Sequence, residues 1–159
     1  MGAGILPVAI FNGKIYFLFS REQNSGNSDN NQWSDFGGRK EKNETYRETA
    51  IREGWEESDG FLGDMSNIAD LIDNKTVAII KRNKYWTYIV EINYDKDLPD
   101  LFHKKFQKIK DNAPDLIARN GFYEKDKLRW IEHDHIKKNM SIYRPWYRAI
   151  INEINLLSF

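Results

Sequence analysis

Apolar positions along this chain switch between two periods. Gly4 to Phe11 is a nearly unbroken apolar run with β-branched residues, and beyond Asn12-Gly13 the stretch Lys14 to Arg21 alternates. A period of two marks a strand, and Asn-Gly suits the positive-φ corner of a two-residue hairpin, so the pattern predicts two antiparallel strands. Residues 22–32 (EQNSGNSDNNQ) are polar and rich in Gly, Asn and Ser, and read as a loop. Trp33 to Phe36 reads as a short strand running into Gly37-Gly38. Thr45-Tyr46-Arg47-Glu48 has the spacing of a capping box, which places a helix from near Thr45 to about Ser58. Thr76 to Lys81 and Tyr85 to Tyr94 read as strands joined by Arg82-Asn83-Lys84. Apolar residues at 98, 101, 102, 106 and 109 recur with a helical period over Leu98 to Asn112. Leu128 to Ile131 is a short strand, and Tyr143 to Leu157 a closing helix with Pro145 in its first turn. Strands interleaved with two or three helices predict an α/β architecture, a mixed sheet with helices packed on it, in one domain.

The helix over 45–58 carries the chemistry. Glu53, Glu56 and Glu57 stand at i, i+3 and i+4 and so project from one face. Carboxylates crowded in this way repel one another, and a hard divalent cation such as Mg²⁺ or Mn²⁺ relieves the repulsion. A solvated acidic helix face would give the same triplet. The residues around it add a longer series: Gly38, then after five residues Glu44, then after seven more Arg52-Glu53, then Glu56-Glu57. This series resembles the Nudix box, G-x5-E-x7-R-E-U-x-E-E-x-G-U, where U is a bulky apolar residue. Two positions depart from it. Gly54 stands where the first U is expected, and the closing glycine comes one residue late, at Gly60, followed by Phe61. A glycine inside a helix costs about 1 kcal/mol against alanine and removes a core anchor. Trp55, turned inward, is expected to fill that space. The extra residue, Ser58 or Asp59, lies past the carboxylates and is expected to alter the turn and leave the cluster alone.

The resemblance covers most of the chain, with 95–121 as a helical insertion, and implies the Nudix fold, an α/β/α sandwich. It also implies hydrolysis of a diphosphate linkage joining a nucleoside diphosphate to another group, with Mg²⁺ or Mn²⁺ as cofactor. Carried over position by position, it makes Glu53, Glu56, Glu57 and the Gly38 carbonyl the metal ligands. Glu53 and Glu57 then count among the catalytic residues, Glu53 as the group that polarises the attacking water. Arg52 holds the carboxylates in place, and Glu44 is structural. Family members often add an acid from a late loop, for which Glu124 is the candidate here and Asp126 and Glu132 its rivals. Arg21, Arg39 and Lys81, along with Arg82 and Lys84, are candidates for substrate phosphate. Trp33 and Tyr88, along with Tyr85 and Trp86, are candidates for stacking a base. Each of these charges could equally be a solvated one, and each ring part of the core.

Composition narrows the partners. Lys and Arg total 24, as do Asp and Glu, so no global field draws the chain to nucleic acid or to an anionic membrane. The absence of cysteine excludes disulfides, thiolate metal sites and cysteine nucleophiles. The start lacks a basic n-region, and no apolar run nears the ~20 residues of a membrane span, so a cytoplasmic setting is expected. Lys75-Thr76-Val77-Ala78 lacks the downstream proline of ADP-ribose pyrophosphatases and the tyrosine of dinucleoside polyphosphate hydrolases, the family's markers in this region. Three substrates remain: a nucleoside triphosphate, a capped RNA 5′ end met by the basic helix at Lys104, Lys105, Lys108 and Lys110, and a diphosphoinositol polyphosphate met by Gly37–Lys42 and Lys81–Lys84. A Nudix-fold ligand-binding module, its altered box no longer turning over, is the non-enzymatic alternative. The lead into the box and the insertion before Trp130 are similar to members from large DNA viruses.

Overall fold

The computed structural model describes residues 1–23 and 30–159, so most of the loop expected over 22–32 lies outside the described residues. Strand β1 (Gly2–Phe11) is central to a mixed sheet. Its second half pairs antiparallel with β2 (Lys14–Glu22) and its first half with β4 (Phe36–Arg39). Its other edge runs parallel to β6 (Tyr85–Glu91). Strand β2 also carries β3 (Trp33–Ser34) and β7 (Lys125–Glu132), and β6 forms a hairpin with β5 (Thr76–Arg82). Asn12 and Gly13 take φ of 51° and 74°, as the tight hairpin requires.

The unbroken apolar run of β1 follows from its place, because both faces of the sheet are covered. Ala3 and Ile5 enter one core, beneath α1 (Tyr46–Glu57), α2 (Met65–Lys75) and α3 (Leu98–Asn112). Leu6 and Val8 enter the other, beneath α4 (Arg148–Asn155). The layers are those of an α/β/α sandwich. Two-sided cover also explains β6, where Tyr85 and Thr87 on one face and Tyr88 on the other are all buried.

Thr45 caps α1 as its spacing predicts. Its hydroxyl accepts from the Glu48 amide, and the Glu48 carboxylate accepts from the Thr45 amide, both at 3.1 Å. Helix α2 was not among the expected elements, although Asp64 caps it and Ile68 and Ile72 are its buried stripe. It resolves the anomaly at Gly54. A Cβ there would meet Ile5 Cδ1 at 3.0 Å and Ile68 Cγ2 at 3.2 Å, so strand and helix close on the glycine and leave no gap. Trp55 does not fill the space; it packs edge-on against Phe122, ring centroids 4.9 Å apart. The closing helix is shorter than its apolar pattern. Pro145 starts a 3₁₀ turn to Tyr147, and α4 begins at Arg148.

Candidate active site

Arg52 organises the acidic face of α1. Its Nε and Nη2 grip the two Glu44 oxygens at 2.8 and 3.0 Å, while Nη1 reaches Glu53 at 2.8 Å and Glu56 at 3.3 Å. Nη2 also donates to the Arg39 carbonyl at 3.0 Å, tying the helix to the end of β4. Glu44 is itself held by the Glu41 amide and the Thr49 hydroxyl. Arg52 pulls the Glu44 carboxyl down to about 2. Burial pushes Glu53 up to about 7 against the pull of the same guanidinium, and burial also raises Glu56. Gly37 and Gly38 let β4 pass through this crowd. A Cβ on Gly38 would lie 2.6 Å from the Glu53 carboxyl carbon, and one on Gly37 would strike the Tyr85 hydroxyl. The Gly38 carbonyl oxygen lies beside Gly2 of β1.

Glu57 turns the other way. It is 4% exposed, and its Oε2 lies 3.3 Å from the ammonium of Lys125, which is fully buried. That ammonium also lies 3.3 Å from Glu22 Oε2 and donates to the Ser34 hydroxyl at 3.2 Å. Glu57 Oε2 still lacks an aligned hydrogen bond, so its contact with Lys125 is one of charge alone. Burial raises Glu57 well above the carboxylate range, Lys125 opposes the rise, and Glu53, Glu22 and Glu124 add to it.

The late acids separate clearly. Asp126 is clasped by Arg21 at 2.9 and 2.8 Å, and Glu132 lies 3.8 Å from Lys14 and 3.5 Å from His135. Burial raises the Glu124 carboxyl, with the charges of Glu22 and Glu56 adding to the rise. Its loop is seated on the end of α1. Gly121 abuts the Glu56 carboxylate, Phe122 meets Trp55, and the Tyr123 amide donates to Asp59 at 2.7 Å. The residue inserted after the box therefore does more than reshape a turn. Asp59, at φ 50°, binds the loop that carries Glu124, and burial lifts its own carboxyl to about 7.

Beside Gly37 and Gly38 lies a cavity of about 450 Å³ lined by Arg39, Arg82, Lys84, Arg144, Tyr85 and Trp146, among others, with no acidic side chain among the described residues of its wall. Trp146 is 39% exposed, meets Tyr85 edge-on at 4.8 Å, and has the Arg144 guanidinium over its ring at 5.2 Å. Of the residues expected to meet substrate, Arg39, Arg82, Lys84 and Tyr85 are here. Arg21 is engaged by Asp126, and Lys81 of β5 covers the Trp86 ring of β6 at 4.1 Å. Trp33 and Tyr88, at 8% and 6% exposure, are core residues with no free face for a base. Arg144 and Trp146 went unnoticed in the sequence because Arg-Pro-Trp reads only as the start of a helix.

No family model matches the chain. An uncharacterized protein of Acanthamoeba polyphaga mimivirus is 40% identical over 127 residues, 79% of this chain, and the chain spans 39% of that protein's length. Among solved structures, a Nudix hydrolase from M. smegmatis superposes with a TM-score of 0.50 and 14% identity, over 96% of this chain and 82% of that one. An Ap4A hydrolase from C. elegans in a binary complex gives 0.54 and 15%, over 96% and 92%. The MutT protein of Methanosarcina mazei gives 0.51 and 14%, over 97% and 91%. The chain has the Nudix fold.

In the Nudix fold of this chain the box carboxylates do not share one focus. Among the described residues no three His, Asp or Glu side chains converge on a common metal position, because Arg52 draws Glu53 and Glu56 one way and Lys125 draws Glu57 another. The donor set nonetheless suits a hard divalent cation. It is all oxygen, and burial with mutual repulsion raises Glu53, Glu56, Glu57 and Glu124 together. Burial is the larger cause in each case, and the neighbouring acids add to it.

Proposed function

We propose that the chain is a Mg²⁺- or Mn²⁺-dependent pyrophosphohydrolase that cleaves a diphosphate linkage in a nucleotide-type substrate. One observation carries this reading. Arg52 gathers Glu53 and Glu56 on a single nitrogen beside Gly38, with the acid Glu124 on a neighbouring loop and a basic, aromatic cavity opening at the same glycines. Glu53 and Glu56, beside the Gly38 backbone, would hold the cation, while Glu57 has Lys125 for a neighbour. Such a cation, when bound, would supply neutralisation of the diphosphate oxygens and acidification of water. Glu124, raised by burial, would take up the proton of the attacking water, which Glu53 helps to polarise. Arg39, Arg82, Lys84 and Arg144 bind the remaining phosphates, and Trp146 offers its exposed ring to a base. A cavity of about 450 Å³ accommodates one nucleoside with its phosphate chain, whether free or at a capped RNA 5′ end. These are soluble ligands, and among the described residues no helix is long and apolar enough to cross a membrane.

The test is product release from nucleoside triphosphates, dinucleoside polyphosphates and capped RNA with Mg²⁺ or Mn²⁺. At least one substrate should be hydrolysed, and Glu56→Gln should slow its hydrolysis by about 100-fold or more. Tight binding of a ligand with no hydrolysis of any substrate would instead mark a binding module.

A further inference from the structure

We infer that Lys125 is a resident cation of the box, occupying the inner place between Glu57 and Glu22 where a divalent ion would otherwise sit. The inference rests on the metal-dependent reading above and narrows it: without substrate the protein holds one divalent ion, on the Glu53–Glu56 side.

Position comes first. The Lys125 side chain is wholly buried at the start of β7, and three oxygens from three other elements surround its nitrogen at 3.2 to 3.3 Å. A lysine charge so deep is retained only where acids compensate it, and the acids here are Glu57 from α1 and Glu22 from β2. Glu57 Oε2 has no aligned hydrogen bond, so the ammonium serves it as a bound ion would, by charge.

Division of the box follows. The Arg52 guanidinium meets Glu53 and Glu56 but makes no ion pair with Glu57, and Lys125 pairs with Glu57 but with neither of the other two. Charge is therefore distributed unevenly. On the inner side Glu22 and Glu57 face Lys125, with Arg144 3.6 Å from the same Glu22 oxygen. Lys125 and Arg144 are the cations there, shared by Glu22, Glu57 and the buried Asp35. On the outer side Arg52 is the ion-pair partner of Glu44, Glu53 and Glu56 alike, and Glu124 adds its charge to Glu53 and Glu56 as well as to Glu22. A divalent ion is drawn to the outer side, and the fixed ammonium repels one approaching Glu57 Oε2.

The experiment is a Mn²⁺ titration of the substrate-free protein, read by calorimetry and by the electron paramagnetic resonance of free Mn²⁺. The wild-type chain should bind one ion. Lys125→Met, which strips Glu57 and Glu22 of their cation, should bind two. Glu57→Gln, which keeps the side chain's shape, decides the matter even if Lys125→Met fails to fold. Its affinity for the single ion should stay within about threefold of wild type, while Glu56→Gln should lose about tenfold or more. Two ions on the wild type, unchanged stoichiometry in Lys125→Met, or equal weakening by Glu57→Gln and Glu56→Gln would each overturn the inference and leave the hydrolase reading standing. A wild-type chain that binds no Mn²⁺ would overturn both.

Discussion

Glu44 determines what Arg52 is free to do. Held down to about 2 by that arginine, it stays ionised across the whole physiological range and keeps two guanidinium nitrogens occupied. Only Nη1 is left to span Glu53 and Glu56, at a reach that keeps them together without closing over either. Glu44→Gln should release the fork and let Arg52 settle fully on those two carboxylates. The expected outcome is a 10- to 100-fold loss of Mn²⁺ affinity, roughly what removal of a ligand's own support costs elsewhere, measured by titration on protein whose melting temperature is checked alongside. The sequence displayed this part of the site well, because Arg52, Glu53 and Glu56 lie within a single turn of one helix. It did not reveal where Glu57 points. Its partner comes from a strand that begins at Lys125, and no local period encodes a contact over that separation. Trp33 and Tyr88 were opaque for a related reason: a ring's role depends on whether the sheet is covered on one side or both.

Gly54 shows the same limit among helices and strands. As a box position it looks like a lost anchor, yet Ile5 of β1 and Ile68 of α2 already lie against it. Gly54→Leu would restore the family pattern but should destabilise the protein by about 1–3 kcal/mol through overpacking, despite the better helix propensity of leucine. Chemical denaturation would read the difference, and a gain in stability would show that α2 can retreat. The strands and capped helix α1 were legible from period and turn chemistry. Helix α2 was also legible in principle, from Asp64 followed by Met65, Ile68 and Ile72. The boundary of α4 was not, since the apolar pattern runs smoothly through a turn that Pro145 and Tyr147 wind more tightly.

Asp35 joins the layers of the molecule. Wholly buried, it accepts from the Tyr85 hydroxyl at 2.8 Å and the Thr87 hydroxyl at 2.9 Å, and Thr87 reaches on to the Tyr147 hydroxyl at 3.3 Å. Burial lifts its carboxyl from 3.8 to about 6, and the hydroxyl donors offset only part of the rise. The folded chain thus holds this proton more tightly than the unfolded one. Its contribution to stability is complete below about pH 4 and is lost as pH rises to about 6, on the order of 3 kcal/mol in all. Asp35→Asn retains an acceptor for Tyr85 and cannot ionise. Relative to wild type it should gain stability between pH 4 and 7, as melting temperatures measured across that range would show. Glu53 and Asp59 titrate alike in both proteins, so the difference isolates Asp35. A flat difference would mean that water reaches the carboxylate.

The loop ahead of β7 is fastened to the box helix from Gly121 onward, through Glu56, Trp55 and Asp59. Residues 113–120 hang between that clasp and the end of α3. They can lengthen, shorten or change character without shifting the acid that follows. Change can accumulate in that span while the clasp on the box helix stays in place.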